Sequence, residues 1–173
     1  MTLLRPKSLA ITLLLGAVTL ACGGAPAPGE PIALPSGSPV EFTRLRAEPY
    51  SFTYYSGMKQ PARLVVRDAP TWRRVWAEIS QGTSPTPDVP TVDFTREMIV
   101  VAALGERSTG GFSVLVESAV MGEHGLTVQL QTIAPGRSCV TTQAFTQPVD
   151  IARFPLVVGA VSFVDDPVTH ECN

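Results

Sequence analysis

The chain has 173 residues, with 13 basic side chains against 15 acidic ones, three cysteines and two histidines. That length supports one domain of ordinary size with a core of its own, and a slight acidic excess without a basic stripe argues against a nucleic-acid partner. Fourteen glycines and sixteen prolines punctuate it throughout, which favours short strands and turns over a helical bundle.

At the start, Arg5 and Lys7 precede an apolar, uncharged run from Leu9 to Leu20. The run is shorter than the about 20 residues a bilayer span requires, so residues 1–21 read as a signal peptide. It ends in Leu20-Ala21-Cys22-Gly23, which resembles a bacterial lipobox, although Thr19 stands where leucine is commonest. The resemblance implies cleavage before Cys22 and lipidation of its thiol; ordinary secretory cleavage leaving a free Cys22 is the alternative. Several acyl chains on one cysteine would anchor the protein firmly, where a single chain is marginal. The expected location is the bacterial cell envelope. Gly23 lacks the aspartate often tied to inner-membrane retention, which favours the outer membrane in a Gram-negative cell. Without Arg5 and Lys7, eleven basic residues face the fifteen acidic ones.

Residues 22–40 carry Pro26, Pro28, Pro31, Pro35 and Pro39 among small residues. They hold too little apolar material to bury, so a disordered tether is expected. Its reach is on the order of 50 Å. The folded domain is then residues 41–173.

Tyr50-Ser51-Phe52-Thr53-Tyr54-Tyr55 alternates aromatic and small polar residues and predicts a strand with its aromatic row in the core. A binding platform is the other reading of that row. Ser56-Gly57 turns the chain, and Pro61 opens a second strand over residues 62–67. From Thr71 to Ser80, Trp72, Val75, Trp76 and Ile79 recur at helical spacing. Asp68 is the expected N-cap, Pro70 fits the first turn, and Gln81-Gly82 ends the helix. Its two tryptophans are expected to pack across a sheet. Pro85, Pro87 and Pro90 make residues 83–91 a loop.

The centre of the chain is residues 98–120. Met98 to Leu104 is an unbroken apolar run rich in β-branched residues, which predicts a strand buried on both faces. Phe112, Val114 and Val116 then alternate with more polar neighbours. A short glycine-rich connection joins the two, so they are expected to pair as a hairpin. Gly110-Gly111 supplies either positive φ or close backbone approach, in a turn that is purely structural or else contacts a partner. Gly105 and Gly110 have P-loop spacing, but Gly111 and Phe112 follow where Lys and Ser or Thr are needed. After a polar turn at 121–125, residues 126–132 alternate and should pair with 112–118. Residues 134–138 turn again, 140–145 and 149–154 read as short strands, and 156–164 as a last one. The sum is a mainly β fold, an antiparallel sandwich or partly open barrel of seven or eight short strands with one short helix.

Two segments carry a resemblance to a known family. Gly105, Arg107, Thr109, Gly110, Gly111 and Phe112 form a G-x-R-x-T-G-G-aromatic turn, and Thr142 to Val149 reads T-Q-A-F-T-x-P-V. Over roughly Asp93 to Pro155 the chain resembles the C-terminal domain family of the protease-complex subunit PrcB, with Phe112 where tyrosine is expected more often. The resemblance implies a non-catalytic subunit that associates with and stabilises an exported, subtilisin-like protease. It points to Arg107, Ser108, Thr109, Gly110, Gly111, Phe112, Thr142, Gln143 and Pro148 as the candidate interface.

No chemistry is legible beside it. Cys139 and Cys172 are an even pair in an exported chain, which favours a disulfide of about 3–4 kcal/mol. The competing Cys/His metal site would use His170 or His124, yet the spacing fits no zinc pattern. Asp165-Asp166 beside Pro167 reads as a solvated turn. Ser108 lies in no nucleophile elbow and no histidine is indicated as its base. The expected protein is therefore not an enzyme, uses no cofactor or metal, and binds a protein partner. A ligand- or polymer-binding envelope lipoprotein, a protease inhibitor, and an enzyme with titratable groups converging near Ser108 and Thr109 are the other readings.

Overall fold

A computed structural model describes residues 34, 36–45 and 54–172, all within one compact unit, Pro31–Asn173. The leader, Cys22, most of the tether, and Tyr50 and Phe52 of the aromatic row lie outside the described residues.

The described strands are β1 Ser38–Pro39, β2 Thr43–Arg44, β3 Ala62–Val66, β4 Glu97–Ala103, β5 Ser113–Gly122, β6 Gly125–Pro135, β7 Val149–Pro155 and β8 Val161–His170, with helix α1 at Ala69–Ile79. They form two four-stranded sheets, one in the order β1-β5-β6-β8 and the other β2-β7-β4-β3. The fold is a sandwich, mostly antiparallel, with a parallel β6–β8 pair.

β4 is the element both cores are built on. Met98, Val100 and Ala102 point into the space between the sheets, against Val114, Val116, Leu126, Val128, Leu130 and Phe154. Ile99, Val101 and Ala103 point the other way, onto Trp72, Trp76 and Ile79 of α1. A strand covered on both faces needs no polar alternation, which explains the unbroken apolar run. The helix starts where Asp68 accepts the Thr71 N–H at 2.7 Å, with Pro70 in the first turn. Both indoles reach into the proline loop: Trp72 Nε1 donates to the Pro90 carbonyl (2.9 Å) and Trp76 Nε1 to that of Pro87 (3.1 Å).

Several expectations are corrected. β4 and β5 are not a hairpin: β4 lies between β3 and β7 and has no free edge, so residues 104–112 cross from one sheet to the other. The hairpin is β5–β6, closed by Gly122 opposite Gly125. Residues 140–145 form no strand, and their apolar side chains Val140 and Phe145 are exposed. Tyr54 and Tyr55 are exposed beside a turn instead of filling a strand's core face. Asp165-Asp166-Pro167 lies within β8 and not in a turn. Pro167 fits there because β8 is an edge strand, where an N–H on the free side has no ladder partner to lose. Finally, the end of the tether is structured: Ser38 and Pro39 pair with Met121 and Val120.

A polar device joins β2 and β7 of one sheet to β5 of the other. Glu117 is the extra residue of a bulge in β5, between Val116 opposite Leu130 and Ser118 opposite Gln129. The Asp150 carboxylate, on the inter-sheet face of β7, accepts the Val116 N–H at 2.7 Å. Arg44 donates to the Val116 carbonyl and to Asp150. Both backbone groups at the bulge are thus satisfied from the opposite sheet.

Candidate interaction site

The crossover, residues 104–112, is held by the segment that leads into β7. The β4–β7 ladder runs on past Ala103, with the Leu104 N–H donating to the Pro148 carbonyl at 3.0 Å. Arg107 and Thr146 then exchange both backbone hydrogen bonds, at 2.8 and 2.9 Å. Thr146 is buried, and its hydroxyl donates to the Thr109 carbonyl at 2.9 Å. The Gly110 N–H donates to the Thr142 carbonyl at 3.0 Å. The two family-like segments, some 35 residues apart in sequence, are therefore one substructure.

The glycines have separate reasons. Gly111 has φ +87°, and a side chain there would press on Pro135 at 3.0 Å. At Gly110 a Cβ would sit 2.4 Å from the Thr142 hydroxyl oxygen. So the turn requires them in order to lie flat on its neighbour.

Of the predicted interface residues, Ser108, Gly111, Thr142 and Gln143 are exposed; Arg107, Thr109 and Phe112 are half-buried; Gly110 and Pro148 are buried. Thr146 and Gln147 were not singled out by sequence, although the second threonine of T-Q-A-F-T was available as a signal. The Gln147 N–H donates to the Tyr54 carbonyl (2.9 Å), and its side chain donates to Glu106 (3.0 Å). That contact sets Tyr54 and Tyr55, 48% and 56% exposed, beside the stretch that carries Phe145, 65% exposed. Cys139 and Cys172 are joined by a disulfide, which ties the residues after β8 to the turn after β6. Ser138 Oγ donates to the Cys172 carbonyl across the same junction (2.7 Å).

On the other side of the crossover, a cleft of about 360 Å³ opens between the edge strands β3 and β8. Leu104, Phe112, Ile133 and Val168 supply its apolar lining. Arg63 of β3 pairs with Asp165 of β8 at 2.7 Å. Arg107 also lines it, with its guanidinium carbon 5.6 Å from the Phe112 ring centroid. The Arg107 Nε is buried and has no hydrogen-bond partner among the described residues. Among the described residues no group of His, Cys, Asp and Glu side chains is arranged to hold a metal ion.

Compared with known proteins, the chain matches no curated protein and no solved structure. A family match covers the zipped substructure from the start of β4's apolar run to the end of β7: residues 98–155 fit the model of the PrcB C-terminal family.

Proposed function

We propose that this protein is a lipid-anchored, non-catalytic subunit that binds and stabilises an exported, subtilisin-like protease, using the surface around the crossover. The observation that carries the reading is the match of residues 98–155 to the PrcB C-terminal family, a family named for a subunit of a protease complex. The exposed aromatic side chains Phe145, Tyr54 and Tyr55 support it. Aromatic groups of this kind are enriched in protein interfaces, where they add large contact area at small entropic loss. The leader and Cys22 supply the membrane anchor.

The test is affinity capture from envelope and secreted fractions with the full chain as bait, beside a Phe145→Asp/Tyr55→Asp version. Neither side chain is in the core, so both baits should fold and give the same circular dichroism. A protease held by the first and lost by the second supports the reading. Retention of none by either overturns it, and retention of a silenced protease makes the subunit an inhibitor. Loss of palmitate labelling in Cys22→Ser checks the anchor.

A further inference from the structure

We propose that the cleft between β3 and β8 is a binding site for the free C-terminal carboxylate of a peptide chain that ends in an apolar residue, with Arg107 as the anion's partner. The first observation is the state of Arg107. Its Nε is buried without a hydrogen-bond partner, and its guanidinium makes no ion pair among the described residues. A buried cationic donor left unpaired is disfavoured. The guanidinium carbon lies over the Phe112 ring, 5.6 Å from its centroid, a contact that uses none of the N–H donors an anion would take. The two terminal nitrogens, which are not shut off from the cleft as Nε is, form a fork that grips a carboxylate through both oxygens.

The second observation is how the rest of the cleft is committed. Arg63 donates to Asp165, to the Ala103 carbonyl at 2.7 Å and to the Ala62 carbonyl at 2.9 Å. Its charge is paired, so the uncompensated positive charge facing the cleft is that of Arg107. A single free guanidinium, with the Asp165 carboxylate also lining the cleft, suits a monoanion better than a phosphate dianion. Leu104, Phe112, Ile133 and Val168 call for an apolar body attached to that anion. The cavity is near the lower end of the range for ligand sites, about 300–1,000 Å³, which matches a chain end. The Arg63–Asp165 pair ties the two edges across the cleft.

The experiment needs no protease, so its outcome is separate from that of the subunit reading. The full chain is titrated by NMR with acetyl-Gly-Gly-Leu as free acid, with its C-terminal amide, and with amidated acetyl-Gly-Glu-Gly. The free acid should give saturable shifts at Arg107, Phe112, Ile133 and Val168. The amide and the Arg107→Gln protein should each bind about tenfold more weakly or worse, since each removes one side of a hydrogen-bonded charge pair. Val168→Trp, which fills the mouth, should weaken binding as well. No saturable shift with the free acid, equal binding of acid and amide, or stronger binding of the glutamate peptide would each overturn the proposal. The acid–amide comparison on the unaltered protein decides the matter even if Arg107→Gln does not fold.

Discussion

Replacing Thr146 with valine isolates the hydrogen bond that fastens the crossover. Valine keeps the shape of threonine, so no cavity opens at a site that is 2% exposed. What disappears is the hydroxyl donor to the Thr109 carbonyl at 2.9 Å. A neutral hydrogen bond contributes about 0.5–1.5 kcal/mol net, and a stranded buried acceptor raises the loss to about 1–3 kcal/mol. Thr109 is half-buried, and water reaching its carbonyl would offset part of that. The expected destabilisation is about 1.5 kcal/mol, or roughly 5–8 °C in Tm for a domain of this size. Urea unfolding with an unchanged m-value is the assay. Thr146→Ser, which keeps the donor and loses only a methyl group, should fall about 1 kcal/mol for a different reason. If Thr146→Val proves as stable as the parent chain, the backbone bridge alone holds the crossover and the hydroxyl is incidental.

Trp76→Ala should destabilise by about 3–5 kcal/mol through the cavity it leaves under α1, measured by chemical denaturation; near-native stability would show that α1 does not depend on its indoles. Asp150→Ala should lose about 2–3 kcal/mol, because the Val116 N–H loses a charged acceptor and Arg44 its partner. Asp150→Asn, which can still accept from Val116, should lose less; equal losses would assign the effect to the ion pair. At Asp68, the Thr71 backbone N–H, then its hydroxyl, hold the carboxyl below its ordinary value of 3.8. Its stabilisation is thus complete above that value and fades as pH falls through the lower folded value. The stability gap between the parent and Asp68→Ala should accordingly close on acidification, read from urea midpoints across the acid range.

Legibility in the sequence followed the reach of the physics involved. Residues 98–104 and the helix announced themselves because burial on two faces, and helical spacing of Trp72, Val75, Trp76 and Ile79, are local patterns. The partner of β4 is not legible in the sequence because pairing is not local. A nine-residue glycine-rich connection can close a hairpin or change sheets, and that choice is made by β7, which takes the edge β5 would have used. Composition points Tyr54, Tyr55 and Phe145 to strands, yet an exposed aromatic reads the same as a buried one when only its neighbours in sequence are known. Ser38 and Pro39 looked like tether because proline and serine dominate there, but an edge position on β5 asks little of them.

The same distinction separates construction from recognition within the family-like turn. Gly110 and Gly111 are explained fully by close packing on Thr142 and Pro135, and Thr146 by its bond to Thr109. A domain that used the turn only as a brace would need all three. It would not need a guanidinium there. The backbone of Arg107 makes the bridge to Thr146, and any residue supplies that backbone. Its side chain instead lines an apolar cleft and makes no ion pair among the described residues. Within the fold that side chain rests on the Phe112 ring, so Arg107 is where binding and stability should come apart: Arg107→Gln should shift the unfolding midpoint little while weakening recognition of a carboxylate about tenfold or more.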